Sequence, residues 1–145
     1  MTNPASLEPS DTSTRLAIGW GVVVGALNLA APIAFWWLDR ATAYALVIPL
    51  IAAVYIGFAV ADGRPKVLVV EVCVASIFVV LAAVGITETA WILVVAYALH
   101  GLKDFWQHRT HFVANTRWWP PFCLVVDWVV ALGLVIEIAV GSQFH

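Results

Sequence analysis

The chain has 145 residues, 63% of them hydrophobic and only 11% charged. A soluble domain carries about 25% charged residues, so a water-soluble fold of this composition would expose far too much apolar surface, and the mean hydropathy of +0.95 agrees. A formal net charge of -2, with no basic patch, predicts no nucleic-acid partner.

Residues 1–15 (MTNPASLEPSDTSTR) are polar and rich in Ser, Thr and Pro, and are predicted to form a flexible tail. They lack the basic start of a secretory signal. The apolar run that follows is longer than a signal core of roughly 7–15 residues, so it reads as a retained first helix. Residues 16–145 then form one membrane domain.

Helices are the natural spanning elements, because backbone groups in lipid must bond internally and these runs do not alternate as barrel strands do. A core about 30 Å thick needs about 20 apolar residues. Five stretches meet or approach this: 16–38, 42–61, 67–86, 90–108 and 119–140. The predicted fold is all-α, a polytopic bundle of five transmembrane helices with short connections and antiparallel neighbours.

The first helix carries Gly21, Gly25, Asn28 and Pro32 on one face. Small residues there invite close approach of another helix, either within the chain or in a homo-oligomer through the Gly21/Gly25/Asn28 face. Five spans place Arg15, Arg64, Lys66, Lys103, Arg109 and Arg117 on one side and only Arg40 on the other. That asymmetry predicts a cytoplasmic N-terminus and insertion in the plasma (inner) membrane. Trp20, Trp36, Trp37, Trp91, Trp106, Trp118 and Trp119 fall near helix ends, as an interfacial belt requires. Trp128 lies deeper, beside Asp127, and reads as a packing aromatic or as a wall of a substrate pocket. Cys73 and Cys123 have no CxxC spacing and read as inert core residues.

The fourth span carries the chemistry. Tyr97, His100, Asp104, Gln107, His108 and His111 fall within an arc of about 100°. Trp91, Leu102 and Phe105 lie opposite. A polar face in a membrane helix turns toward protein or a wet cavity. From the helical rise, His100 and Asp127 are each about 12 Å from the cytoplasmic boundary, and Asp104, Cys123 and Glu71 lie near 6 Å. Burying one such group costs about 2.5–3.5 kcal/mol, and the least costly partners are each other. For Glu71, Lys103, Asp104 and His108 the plain alternative is snorkelling or ordinary ion pairing near the interface. His100 and Asp127 are too deep for that. Glu137 reads as interfacial.

His100 and Asp104, at i and i+4, can share a divalent metal ion, with His108 as a further candidate ligand. His100 and His108 are about 12 Å apart along the axis, which sets one ion against holding both. Equally, His100, Asp104 and Asp127, with Glu71, can do acid–base work. The chain has too few His for an iron-dependent desaturase. Its buried His share one helix, which argues against bis-His haem.

The stretch from His100 through Asp104 to His108, followed by Cys123 and Asp127, resembles a small family of uncharacterised bacterial integral membrane proteins. Their helix reads His-x3-Asp-x2-His-His and precedes one with Cys and Asp. Here Gln107 replaces the first His of the pair. The resemblance covers residues 97–134 and implies that His100, Asp104, His108 and Asp127 belong to one site. It implies no particular activity.

Three functions fit these residues. The first is a membrane-embedded enzyme acting on a small lipophilic substrate reached from the bilayer, with His100, Asp104, Asp127 and Glu71 as its catalytic groups. The second is a proton- or metal-coupled transporter or channel, against which stands the scarcity of polar residues in the outer half (Asn28, Thr42, Tyr44 and Glu137). The third is a structural subunit of a membrane complex.

Overall fold

A computed structural model describes residues 11–144, and within them every regular element is helical. In chain order they are α1 (Asp11–Asn28), α2 (Ala31–Ala34), α3 (Arg40–Ala45), α4 (Val47–Asp62), α5 (Pro65–Thr87), α6 (Trp91–Thr110) and α7 (Trp119–Ala139). Helices α3 and α4 run on as one span of 23 residues. That span, α5 and α7 are long and apolar enough to cross a membrane, as expected of a membrane protein.

One difference from the sequence reading traces to a proline. The first apolar run does not continue as one helix from 16 to 38. It breaks after Asn28 and resumes as the single turn of α2, because Pro32 has no N–H for the Asn28 carbonyl. Pro49 likewise cannot bond the Ala45 carbonyl, but Leu46 keeps helical backbone angles and the second span runs on through it. At the other end of α1, Asp11–Arg15 are helical rather than part of a flexible tail; the rest of that tail lies outside the described residues.

Helix α1 lies along α7, which packs on α6; α5 joins α6 to α4. Helices α1 and α7 run parallel. A Cβ on Gly21 would come within 2.7 Å of the Phe122 carbonyl, and one on Gly25 within 2.8 Å of Val129 Cβ. The small face of the first helix is therefore filled by α7 of the same chain. Of the two readings of that face, the contact within the chain is the one seen at Gly21 and Gly25.

The two ends of the bundle are tied separately. At one end, Arg64 bonds Asp62 (2.5 and 2.7 Å) and the Phe112 carbonyl, while Asp62 Oδ2 accepts from the Ala114 N–H. This joins the α4–α5 connection to the one following α6. At the other end, Ala41 N–H donates to the Phe144 carbonyl and Arg40 pairs with Glu137. Between them, Tyr44, Ile48, Leu93, Ala96, Tyr97 and Leu134 build the core. Rows of Val, Leu and Ile face outward; only 28% of the most apolar stretch of α5 is buried, and Val69, Val72, Ile77, Val79 and Val80 are exposed.

Candidate functional site

The polar face of α6 turns inward as its periodicity requires. His100, Asp104 and Gln107 are fully buried, while Trp91, Leu102 and Phe105 are exposed. Gly101 allows α7 to approach: a Cβ there would lie 2.5 Å from the Trp128 indole and 3.4 Å from Asp127 Cβ. The Trp128 ring lies across that notch, its N–H 3.4 Å from the Ala98 carbonyl, and it is half exposed. It is a packing aromatic that also forms the outer wall beside the site.

His100 Nδ1 is 2.7 Å from Asp127 Oδ2 and 3.4 Å from Asp104 Oδ2. The two deepest ionisable residues inferred from helical rise thus meet directly. Tyr55 of α4 donates its hydroxyl to Asp104 Oδ1 at 2.6 Å. Phe78 of α5 abuts the His100 ring edge-on, 4.8 Å between centroids. Cys123 Sγ lies 3.9 Å from Asp127 Oδ2. One ligand atom from each of His100, Asp104, Cys123 and Asp127 falls within 4.8 Å of the others.

Glu71 reaches this group indirectly. It takes a 2.6 Å bond from Lys103 Nζ, which lies 3.2 Å from the centre of the Tyr55 ring. A continuous array therefore runs Glu71–Lys103–Tyr55–Asp104–His100–Asp127–Cys123 across α4 to α7. All of its members are buried except Lys103, which is 12% exposed.

The array is not internally satisfied. Glu71 Oε1, His100 Nε2, Asp104 Oδ2 and Asp127 Oδ1 are buried with no hydrogen-bond partner. Setting aside the Lys103–Glu71 pair, two carboxylates face one imidazole. Buried charge of one sign requires a compensating proton or cation.

Several predicted members lie elsewhere. His108 is half-buried and near His111, with ring centroids 6.4 Å apart, and is not among the clustered candidate ligands. Cys123, not His108, lies beside His100, Asp104 and Asp127. Gln107 clamps the connection to α7: it donates to the Val113 carbonyl (2.8 Å) and accepts from the Val113 N–H (3.2 Å). Cys73, expected in the core, is exposed, whereas Cys123 is buried in the cluster. Tyr55 was not anticipated. Its signal was a hydroxyl in the middle of an otherwise apolar helix, which must find a partner when buried.

Comparison with known proteins found no matching family, no matching curated protein and no matching solved structure.

Proposed function

We propose that this is a five-span membrane protein with a cytoplasmic N-terminus, and that its buried array is an acid–base centre acting on a small lipophilic substrate. Helix α6 is too polar to qualify on hydropathy alone, but its polar groups point inward and its outer face is apolar. Helix α1 runs parallel to α7, as first and fifth spans must. Trp36, Trp37, Trp91, Trp106 and Trp118 are exposed at or near helix ends, which supports an interfacial belt, whereas Trp20 is exposed in the middle of α1. The charge asymmetry of the connections supports the orientation.

The observation that carries the functional reading is the unsatisfied array. A packing role would leave buried polar atoms paired, because each orphan costs about 1–3 kcal/mol. Here His100 Nε2, Asp104 Oδ2 and Asp127 Oδ1 remain unpartnered at the histidine and its two carboxylates, and Glu71 Oε1 beyond Lys103. His100 and Asp127 are the proton-exchanging pair. Asp104, oriented by Tyr55, is the second carboxylate, and Glu71 positions Lys103. Substrate reaches them from the bilayer beside Trp128, whose half-exposed indole packs on Gly101 next to Asp127.

The test is an untargeted comparison of membrane lipid extracts from host cells expressing wild type, His100→Gln or Asp127→Asn. The wild type should convert at least one lipophilic species, and both variants should lose at least 100-fold of that conversion, the low end of what a positioned acid–base group supplies being about 10²-fold. Identical extracts from wild type and from both variants, at equal protein levels, would sink the proposal.

A second reading, proton-coupled transport, is favoured by a polar column in the opposite half. Tyr97 donates to the Tyr44 carbonyl (2.8 Å), and Tyr44 donates to Glu137 (2.8 Å), which pairs with Arg40. Proton uptake by proteoliposomes, absent in Asp127→Asn, would distinguish it.

A further inference from the structure

We infer that His100, Asp104, Asp127 and Cys123 form a binding site for one divalent metal ion of the zinc class. The inference rests on the reading of the array as a working centre, and it makes His100 and Asp127 ligands in place of a proton-exchanging pair when the ion is bound.

Geometry comes first. In a tetrahedral site with metal–N and metal–O bonds of about 2.0–2.2 Å, neighbouring ligand atoms lie about 3.3–3.5 Å apart, and a thiolate at about 2.3 Å lies slightly farther. The observed separations bracket these values: 2.7 Å from His100 Nδ1 to Asp127 Oδ2, 3.4 Å from His100 Nδ1 to Asp104 Oδ2, and 3.9 Å from Cys123 Sγ to Asp127 Oδ2. All four donors lie within 4.8 Å of one another. An ion at their centre needs the 2.7 Å His100–Asp127 contact to open and the widest-spaced donors, as much as 4.8 Å apart, to close around it, both by side-chain movement.

The second observation is the orphaned oxygen. Asp104 Oδ2 is fully buried, faces His100 and has no hydrogen-bond partner. Its sister Oδ1 is held by the Tyr55 hydroxyl at 2.6 Å. That is the arrangement of a metal-binding carboxylate, with one oxygen free to ligate and the other fixed by a hydrogen bond from outside the site. The ligands also come from two helices packed together through Gly101, so the cage is rigid.

Donor chemistry selects the ion. One imidazole and one thiol among two carboxylates is a mixed set suited to zinc or cobalt, whereas magnesium and calcium take oxygen alone. Charge agrees in sign, since a dication offsets two of the three anions (Asp104, Asp127 and the Cys123 thiolate) that neutral His100 cannot balance. Binding displaces the proton between His100 and Asp127 and that of the Cys123 thiol, and both leave to solvent.

The full-length protein, purified in detergent and stripped with chelator, would be loaded with Co²⁺ alone and, separately, Zn²⁺ alone. Wild type should hold one equivalent by elemental analysis, and the cobalt form should show tetrahedral visible bands with a thiolate-to-metal band in the near ultraviolet. Cys123→Ser should lose the ultraviolet band while eluting as a folded protein, and Asp104→Asn should weaken binding at least 10-fold. Cys73→Ser and His108→Gln should match wild type. Folded wild type that takes up no metal, or a Cys123→Ser variant that keeps the ultraviolet band, overturns the inference. Metal content is read without any activity, so a protein that converts lipid but binds no ion defeats this site alone. One that binds an ion but converts nothing defeats the acid–base reading instead.

Discussion

Lys103 shows how tightly the array is balanced. Its ammonium lies 2.6 Å from Glu71 and against the Tyr55 ring, with both partners fully buried. Removing one member of a buried ion pair strands the other, at about 3–5 kcal/mol, whereas replacing both with apolar groups is often neutral. Lys103→Met should therefore lower stability by about 3–5 kcal/mol, and adding Glu71→Leu should restore most of it. Thermal unfolding in detergent checks both. A Lys103→Met protein as stable as wild type would show that Glu71 carries no stranded charge. At this scale the sequence revealed depth but not direction. Helical rise put His100 level with Asp127, and they meet. The same arithmetic put Glu71 and Cys123 near the level of Asp104, but it could not say that Glu71 turns to Lys103 while Cys123 turns to Asp127. Tyr55 was hidden because one hydroxyl among apolar residues has no spacing to betray it. Gln107 was read as part of the polar face because periodicity gives an azimuth, not a partner; its amide serves the backbone of the next connection.

Prolines and glycines decide the elements. Pro32 is visible in the sequence, but inside a long apolar run hydropathy outweighs it, so the break after Asn28 is not expected, whereas the second, third and fifth apolar runs do form helices long and apolar enough to cross a membrane. Gly21 and Gly25 were recognised as a packing face, yet nothing local identifies which helix fills it. Parallel α1 and α7 are more than ninety positions apart in sequence, and only the tertiary fold joins them. A Cβ on Gly25 would lie 2.8 Å from Val129 Cβ, whereas one on Gly57 meets nothing within 4 Å. Gly25→Leu should thus cost about 1–3 kcal/mol as α1 is forced from α7, while Gly57→Leu on the exposed face of α4 should leave the unfolding temperature unchanged or slightly raised. Equal behaviour of the two variants would mean that α1 does not dock as described.

For the whole molecule, orientation follows from which connections share an end. Asp62 and Arg64 bind the segment after α6 through Phe112 and Ala114, so Lys66, Arg109 and Arg117 lie at the same end as Arg64. Arg40 lies opposite, against Glu137. A fold that reversed α6 would break the Asp62–Ala114 contact and separate His100 from Asp127 as well, so the site and the topology stand together. In the proposed orientation the Arg64 end is the cytoplasmic one. With Cys73→Ser as background, a cysteine replacing the exposed Glu88 should react with a membrane-impermeant thiol reagent on intact cells. One replacing Thr110, at the far end of α6, should react only after permeabilisation. The reverse pattern would invert the protein while leaving its interior intact. Labelling of both from one side would mean that α6 does not cross, and a fully buried His100–Asp127 pair would then have to be explained without a bilayer around it.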